Sequence, residues 1–335
     1  MKLLITGGAG FLGARLARTL LARGALAGRA IDRLVLADLA PPAPDLAADP
    51  RVEARTGALI DQCAALAAEG FDGVFHLASA VSSECEADFE LGLRSNVDTT
   101  RALLDALRRA AEASGTPPRL VFASSLAVFG ADPALPLPPV VRDDTLPTPQ
   151  SSYGTHKFIC EQFVAEYTRK GYLDGRSARL MTVAVRPGKP NAAASSFVSG
   201  IVREPLAGVE AVCPVPPETA VALASPARTI DGLIAVFEAD RETFGGRTAL
   251  NLPALTVRVQ DMLDALAEVA GADAAARVRF EFDATIDSIV GGWPARFESQ
   301  RAARLGLRPD TDFRSIVLQY LQEHPQGSAA ASDRR

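Results

Sequence analysis

Lys2-Leu3-Leu4-Ile5-Thr6 is a short apolar run that reads as a buried parallel strand, and the residues after it leave few folds open. Gly7, Gly10 and Gly13 follow at intervals of three, and Leu12, Leu16 and Leu20 then recur at helical spacing up to Arg23-Gly24. Strand, glycine turn and helix in that order form the context of a dinucleotide-binding fingerprint. Gly7 permits the tight turn, and Gly10 lets backbone approach a pyrophosphate. Gly13 allows close packing of helix on sheet, while the helix N-terminus faces the phosphates.

The next strand, Leu34-Val35-Leu36-Ala37, ends at Asp38. A carboxylate there accepts hydrogen bonds from the adenosine ribose hydroxyls and repels a 2'-phosphate, which argues for NAD over NADP. The plain alternative is a solvated loop aspartate. Val52-Glu53-Ala54-Arg55 reads as a third strand, and Asp61 beyond it either reaches the adenine amino group or serves as a helix N-terminal acid. Residues 73–79 form a fourth buried strand ending in small residues, which let a flat cofactor pass close to backbone. His76 on that run reads as a core residue. Within the helical segment 84–113, Asn96 either braces nearby backbone or is a surface asparagine. Arg119–Ser125 is the fifth strand, with Ser124 and Ser125 at its end, and Val183-Ala184-Val185-Arg186-Pro187 reads as a sixth that Pro187 terminates. This β-α alternation gives an α/β fold on a doubly wound parallel sheet of Rossmann type.

Beyond a proline-rich loop at 133–149 comes Ser151-Ser152-Tyr153-Gly154-Thr155-His156-Lys157. On a helix, Tyr153 and Lys157 lie one turn apart on one face. An ammonium beside a phenol favours the phenolate, so Lys157 is expected to pull Tyr153 below the usual value of about 10. Such a pair can exchange a proton with a hydroxyl or carbonyl.

After residue 187 the character changes. The stretch 188–208 is rich in small and polar residues, and the segments 248–252, 259–269, 278–282 and 313–321 assemble a smaller C-terminal α+β lobe. Residues 1–187 are thus expected to be a dinucleotide-binding domain carrying the catalytic residues. Residues 188–324 are mainly a substrate lobe with segments returning to the Rossmann core, and 325–335 form a disordered tail.

At 335 residues and 48% hydrophobic, the chain can bury one or two substantial cores. Its net charge of -5 comes from interspersed residues without a basic stripe, which argues against nucleic acid as a partner. Four scattered cysteines and three histidines argue against a metal site or a disulfide framework and for a reducing cytoplasm. No run approaches the ~20 apolar residues of a membrane span, and the N-terminal run is too short for a signal peptide.

The motifs Thr6-Gly7-Gly8-Ala9-Gly10-Phe11-Leu12-Gly13, Asp38, His76-Leu77-Ala78, Asn96-Val97, Ser124-Ser125 before Val128-Phe129-Gly130, and Tyr153-x-x-x-Lys157 together resemble the extended short-chain dehydrogenase/reductase family, which includes sugar-nucleotide epimerases and dehydratases. The resemblance covers roughly residues 2–240. It implies that Ser125 is the catalytic serine and Tyr153 the general acid/base. Lys157 then holds the nicotinamide ribose and tunes Tyr153. The expected NAD contacts are Gly7, Gly10, Phe11, Leu12, Gly13, Asp38, Asp61, Leu77, Ala78, Asn96, Ser124, Tyr153, Lys157 and Pro187. Phe129 stands where many members carry tyrosine, so any role for that hydroxyl is lost here. The resemblance also implies a homodimer formed through the Asn96 and Tyr153 helices.

The blocks 185–197, 203–208 and 212–216 resemble one branch of this family, which oxidises the C2 hydroxyl of a four-carbon sugar acid with NAD. A carboxylate substrate needs a cation, for which Lys189 stands first, with Arg186 and Arg228 behind it. The expected substrate contacts are Ser82, Ser125, Tyr153, Lys189, Asn191, Ser195 and Arg228. A sugar-nucleotide epimerase or dehydratase with the same trio is the alternative, but the stretch 188–217 offers only Lys189 and Arg203 to clamp a diphosphate. A nucleotide sensor without turnover is a third reading, disfavoured because serine, tyrosine and lysine are all present.

Overall fold

The computed structural model describes residues 1–188 and 193–325. Its central sheet has seven parallel strands in the spatial order Leu250–Asn251, Asp174–Leu180, Arg119–Ser125, Gly73–His76, Lys2–Thr6, Arg33–Asp38 and Val52–Thr56. From Lys2–Thr6 the chain first builds outward to one side, then crosses back and lays Gly73–His76 against the other edge. The strand order reverses there, and the crevice past the carboxyl ends of those two strands is where such sheets bind ligands.

Leu3 and Ile5 enter one helical layer with Leu16, Leu20, Leu233 and Phe237, whereas Leu4 enters the opposite layer with Leu66, Leu103 and Leu107. This is the two-residue period of a strand buried on both faces. Each leucine so buried contributes about 1.5–3 kcal/mol. A separate core holds the second lobe together, including Phe197, Ile201, Leu223, Val257, Leu266 and Ile316.

Three expectations are corrected. The strand beside Arg119–Ser125 is Asp174–Leu180, not the apolar run at 183–187. Arg176 and Arg179 lie on it at 0% and 5% exposure, with Asp174 and Glu161 supplying their counter-charges. Of the apolar run only Val183 lies in a ladder: with Thr182 before it, it joins a small sheet with Ala220–Ala224 and Leu255–Arg258. Leu250–Asn251, assigned from sequence to the smaller lobe, pairs instead with the main sheet. The segment 84–113 is not one helix: Ser82–Ala87 and Phe89–Gly92 precede a π turn at Leu93–Asp98, and Thr99–Ser114 follows. No helix among the described residues is long and apolar enough to cross a membrane. Of the tail expected at 325–335, residues 326–335 lie outside the described residues.

Candidate active site

A cleft of about 980 Å³ runs from the glycine turn to Tyr153 and on to the second lobe. At its first end the backbone is packed too tightly for side chains. A Cβ on Gly13 would lie 2.0 Å from the Gly7 carbonyl oxygen, and one on Gly7 would lie 2.8 Å from the Ala78 nitrogen. Gly7 has φ 73°, which glycine alone adopts freely. Gly10 precedes the Phe11–Arg23 helix, so the first amides of that helix open into the cleft. Asp38 accepts hydrogen bonds from the amides of Ala9 at 3.0 Å and Gly10 at 3.2 Å, tying the second strand to the turn at the cleft wall. Leu12, Leu77 and Ala78 also line this end. Asp61 does not: it is exposed in the first turn of Leu59–Ala68, and Gly57 to Ile60 line the cleft in its place.

The helix Ser152–Arg169 brings Tyr153 and Lys157 to the middle of the cleft. Ser151 caps it, its Oγ accepting from the Gly154 amide at 3.1 Å. A Cβ on Gly154 would lie 2.0 Å from the Ala127 carbonyl oxygen, so a glycine is what lets the helix dock against the turn after Ser125. The Ser125 hydroxyl lies close enough to the Tyr153 phenol to favour its ionised form, and its Oγ accepts from the Ala127 amide at 3.2 Å. Lys157 is buried and donates to the Ala123 carbonyl at 2.9 Å, with its ammonium 5.5 Å from the Tyr153 ring centre.

The electrostatics differ from the expectation. Burial pushes Tyr153 up to about 12, opposed by the Ser125 hydroxyl and the Arg186 charge. Burial also lowers Lys157 to about 8, against the pull of Cys160, Cys85 and Glu161. His76 is the core residue expected: it lies between Thr6 Oγ1 at 2.6 Å and Thr100 Oγ1 at 2.9 Å. Asn96 sits in the π turn, accepts from the Ala80 amide at 2.8 Å and donates to the Ala80 carbonyl at 3.3 Å. It braces the cleft wall from behind rather than lining it.

Behind Ser125 lies a buried group that sequence reasoning missed. Glu161 accepts from Ser124 Oγ at 2.5 Å and from both Arg179 Nε at 2.8 Å and Nη2 at 2.7 Å. Arg179 also donates to Asn251 Oδ1 at 3.3 Å. The available signal was spacing: Glu161 is four residues past Lys157 on the same helix face.

At the far end, Arg186, Pro187, Ser195, Ser199, Arg203 and Trp293 line the cleft with Ser82. Ser82 Oγ accepts from the Ala194 amide at 3.1 Å, joining the two lobes. Arg203 donates to the Arg186 carbonyl at 2.8 Å and to Glu204 at 2.5 Å, and Ser199 Oγ accepts from the Arg186 amide at 3.0 Å. Lys189 and Asn191 lie outside the described residues. Arg228 is not in the cleft. Thr229, Ile230 and Leu233 turn their helix face inward, leaving Arg228 exposed 3.7 Å from Asp231 beside a separate cavity of about 230 Å³. Among the described residues no cluster of metal-ligating side chains occurs, and all four cysteines are free and buried.

Two full-length relatives bear the name D-erythronate dehydrogenase. The Cupriavidus necator protein is 48% identical over 96% of this chain and 98% of its own length. The Haemophilus influenzae protein is 42% identical over 96% of this chain and 99% of its own. A solved structure described as a nucleoside-diphosphate-sugar epimerase from Agrobacterium tumefaciens superimposes with a TM-score of 0.91 at 41% identity, covering 98% of this chain and 95% of that one. The pattern of the NAD-dependent epimerase/dehydratase family runs through residues 3–216, from the first strand past the Tyr153 helix into the second lobe, and the chain belongs to that family.

Proposed function

We propose that this protein is an NAD-dependent dehydrogenase that oxidises the C2 hydroxyl of a small sugar acid, D-erythronate, to 2-dehydro-D-erythronate. The observation that carries this reading is near full-length identity of 48% and 42% to two D-erythronate dehydrogenases. The cleft fits a dinucleotide at its first end, where close-packed glycine backbone, helix amides and a carboxylate at the strand end meet. Bound there, NAD supplies the acceptor for the hydride that leaves C2.

The chain's own residues do the rest. Tyr153, as phenolate, takes the C2 hydroxyl proton as the C2–H bond breaks, and the Ser125 hydroxyl holds that oxygen in place. Lys157 holds the cofactor ribose and supplies positive charge beneath the phenol. In an α-hydroxy acid the carboxylate is bonded directly to C2, so its cation must lie close to the base. Arg186 meets that condition, since it lines the cleft and its charge reaches the Tyr153 phenol. Arg203 supports it through the Arg186 carbonyl, and Ser82 and Ser195, which line the same end of the cleft, are the side chains offered to the remaining substrate hydroxyls. Ser124 acts through Glu161. We place the enzyme in the cytoplasm as a homodimer, a reading supported by four reduced thiols and by the adjacent Thr99–Ser114 and Ser152–Arg169 helices.

The test is reduction of NAD by purified protein with four- to six-carbon sugar acids, and with UDP-glucose as control. D-Erythronate is expected to give turnover and UDP-glucose neither turnover nor epimerisation. The opposite pattern would assign the chain to the sugar-nucleotide branch.

A further inference from the structure

Four basic residues line the cleft among those described: Arg94, Lys157, Arg186 and Arg203. Three are committed to the catalytic and substrate end. Lys157 donates to the Ala123 carbonyl, Arg203 to Arg186 and Glu204, and Arg186 lies by Tyr153. Arg94 differs. It is exposed on the π turn Leu93–Asp98, and its guanidinium makes no hydrogen bond or ion pair with any described residue.

The nucleotide end is otherwise acidic. Asp38 is the charged residue at the glycine turn, and the other acidic residue lining the cleft, Glu84, is engaged with the Val81 amide at 3.0 Å. A dinucleotide brings a doubly charged pyrophosphate into this region. The helix N-terminus offsets only a partial charge, roughly half a unit. A side-chain cation would add to what the glycine turn and helix amides supply, and Arg94 is the lining cation whose guanidinium is not engaged with another described residue.

Its position suits that task. Asn96, two residues on, clamps Ala80, and the backbone at Ala78 is pressed against Gly7 of the phosphate turn. The 78–80 segment is thus held between the glycine turn and the Arg94 turn. Asp38, Ala78 to Ala80, Arg94 and Tyr153 all line the same cleft. The Arg94 backbone is itself fixed, its carbonyl accepting from Thr99 Oγ1 at 2.7 Å.

We infer that Arg94 is the side-chain cation that binds the pyrophosphate of the dinucleotide, opposite the glycine turn. This rests on the dinucleotide reading of the cleft but not on the identity of the sugar acid. An arginine on a widened helical turn supplies the charge that a glycine turn bordered by Asp38 lacks, and its planar fork can engage two phosphate oxygens.

The test is calorimetric titration of wild type, Arg94→Met and Arg94→Lys with ADP-ribose and with adenosine. ADP-ribose affinity is expected to fall about 10- to 100-fold in Arg94→Met and less in Arg94→Lys, with a shallower salt dependence. Adenosine affinity and the melting temperature should stay at wild-type values, since Arg94 is exposed and pairs with no described residue. Equal ADP-ribose affinity in wild type and Arg94→Met overturns the inference, as does an equal loss for adenosine. Failure of wild type to bind ADP-ribose would instead overturn the dinucleotide reading itself.

Discussion

Ser124 Oγ and Glu161 Oε1 lie 2.5 Å apart, joining the end of the strand Arg119–Ser125 to the helix that carries Tyr153 and Lys157. The strand and the helix that carry the proposed catalytic groups are thus bolted together directly behind them. The Lys157 bond to the Ala123 carbonyl makes the same connection two residues from Ser125. The orientation of the Ser125 hydroxyl toward the phenol follows from these paired anchors, because the strand end cannot slide along the helix without breaking both.

Glu161 and Arg179 form a buried ion pair with side-chain exposures of 2% and 7%. Removing one partner leaves the other charge uncompensated in the interior. Glu161→Gln is therefore expected to destabilise the fold by about 3–5 kcal/mol. Glu161→Leu combined with Arg179→Met should recover most of that loss, since both charges leave together. Urea denaturation of the three proteins checks this, and a single variant as stable as wild type would show the pair to be dispensable.

Tyr153→Phe deletes one oxygen and leaves the ring against Lys157. Turnover is expected to fall by about 10²- to 10⁴-fold, the usual contribution of a positioned acid/base. The dissociation constant for NAD should stay within about threefold, because the glycine turn is untouched. Undiminished turnover would remove the proton-transfer role.

Much of this site could be read from the chain because its signals are local. The glycine turn needs only a strand, three glycines and a helix in order, and Tyr153 and Lys157 need only helical spacing. What escaped depended on distant partners. Asp174–Leu180 carries Arg176 and Arg179, which disguise a buried strand until Asp174, Glu161 and the carbonyls of Val236 and Phe237 are seen to satisfy them. Arg228 failed for a related reason. Its charge is legible in sequence, but the helix face it occupies is set by how Thr229, Ile230 and Leu233 pack. The expected lowering of Tyr153 by Lys157 considered charge alone, whereas burial of the phenol dominates.

The two inner glycines of the turn separate packing from binding. A Cβ on Gly13 would strike the Gly7 carbonyl at 2.0 Å, while one on Gly10 would meet only that same oxygen at 3.2 Å. Gly13→Ala must displace backbone and is expected to cost about 1–3 kcal/mol of stability along with dinucleotide binding. Gly10→Ala should keep nearly wild-type stability and still weaken ADP-ribose, because its methyl occupies the approach to the phosphates. Thermal melts and ADP-ribose titrations of both variants decide it. Strong ADP-ribose binding by Gly10→Ala would place the phosphates elsewhere.

The pH dependence of oxidation follows from the phenol and its two cations. Burial holds Tyr153 up at about 12, so little of the base form exists near neutrality. The phenolate fraction rises about tenfold per pH unit below that value, and the rate should climb with it. Lys157, lowered by burial to about 8, is half neutral at that pH and loses most of its charge over the next unit. Loss of that cation disfavours the phenolate, so the climb should become shallower on the alkaline side. Arg186 lowers the phenol by its charge, and Arg186→Met is therefore expected to move the whole rising limb to higher pH. The same substitution should raise the KM for the sugar acid about 10- to 100-fold by removing its carboxylate partner. Steady-state profiles of kcat and of kcat/KM for both proteins, from about pH 6 to about pH 10, check the two effects separately. A limb that stays in place in the variant would mean that Arg186 does not act on the base.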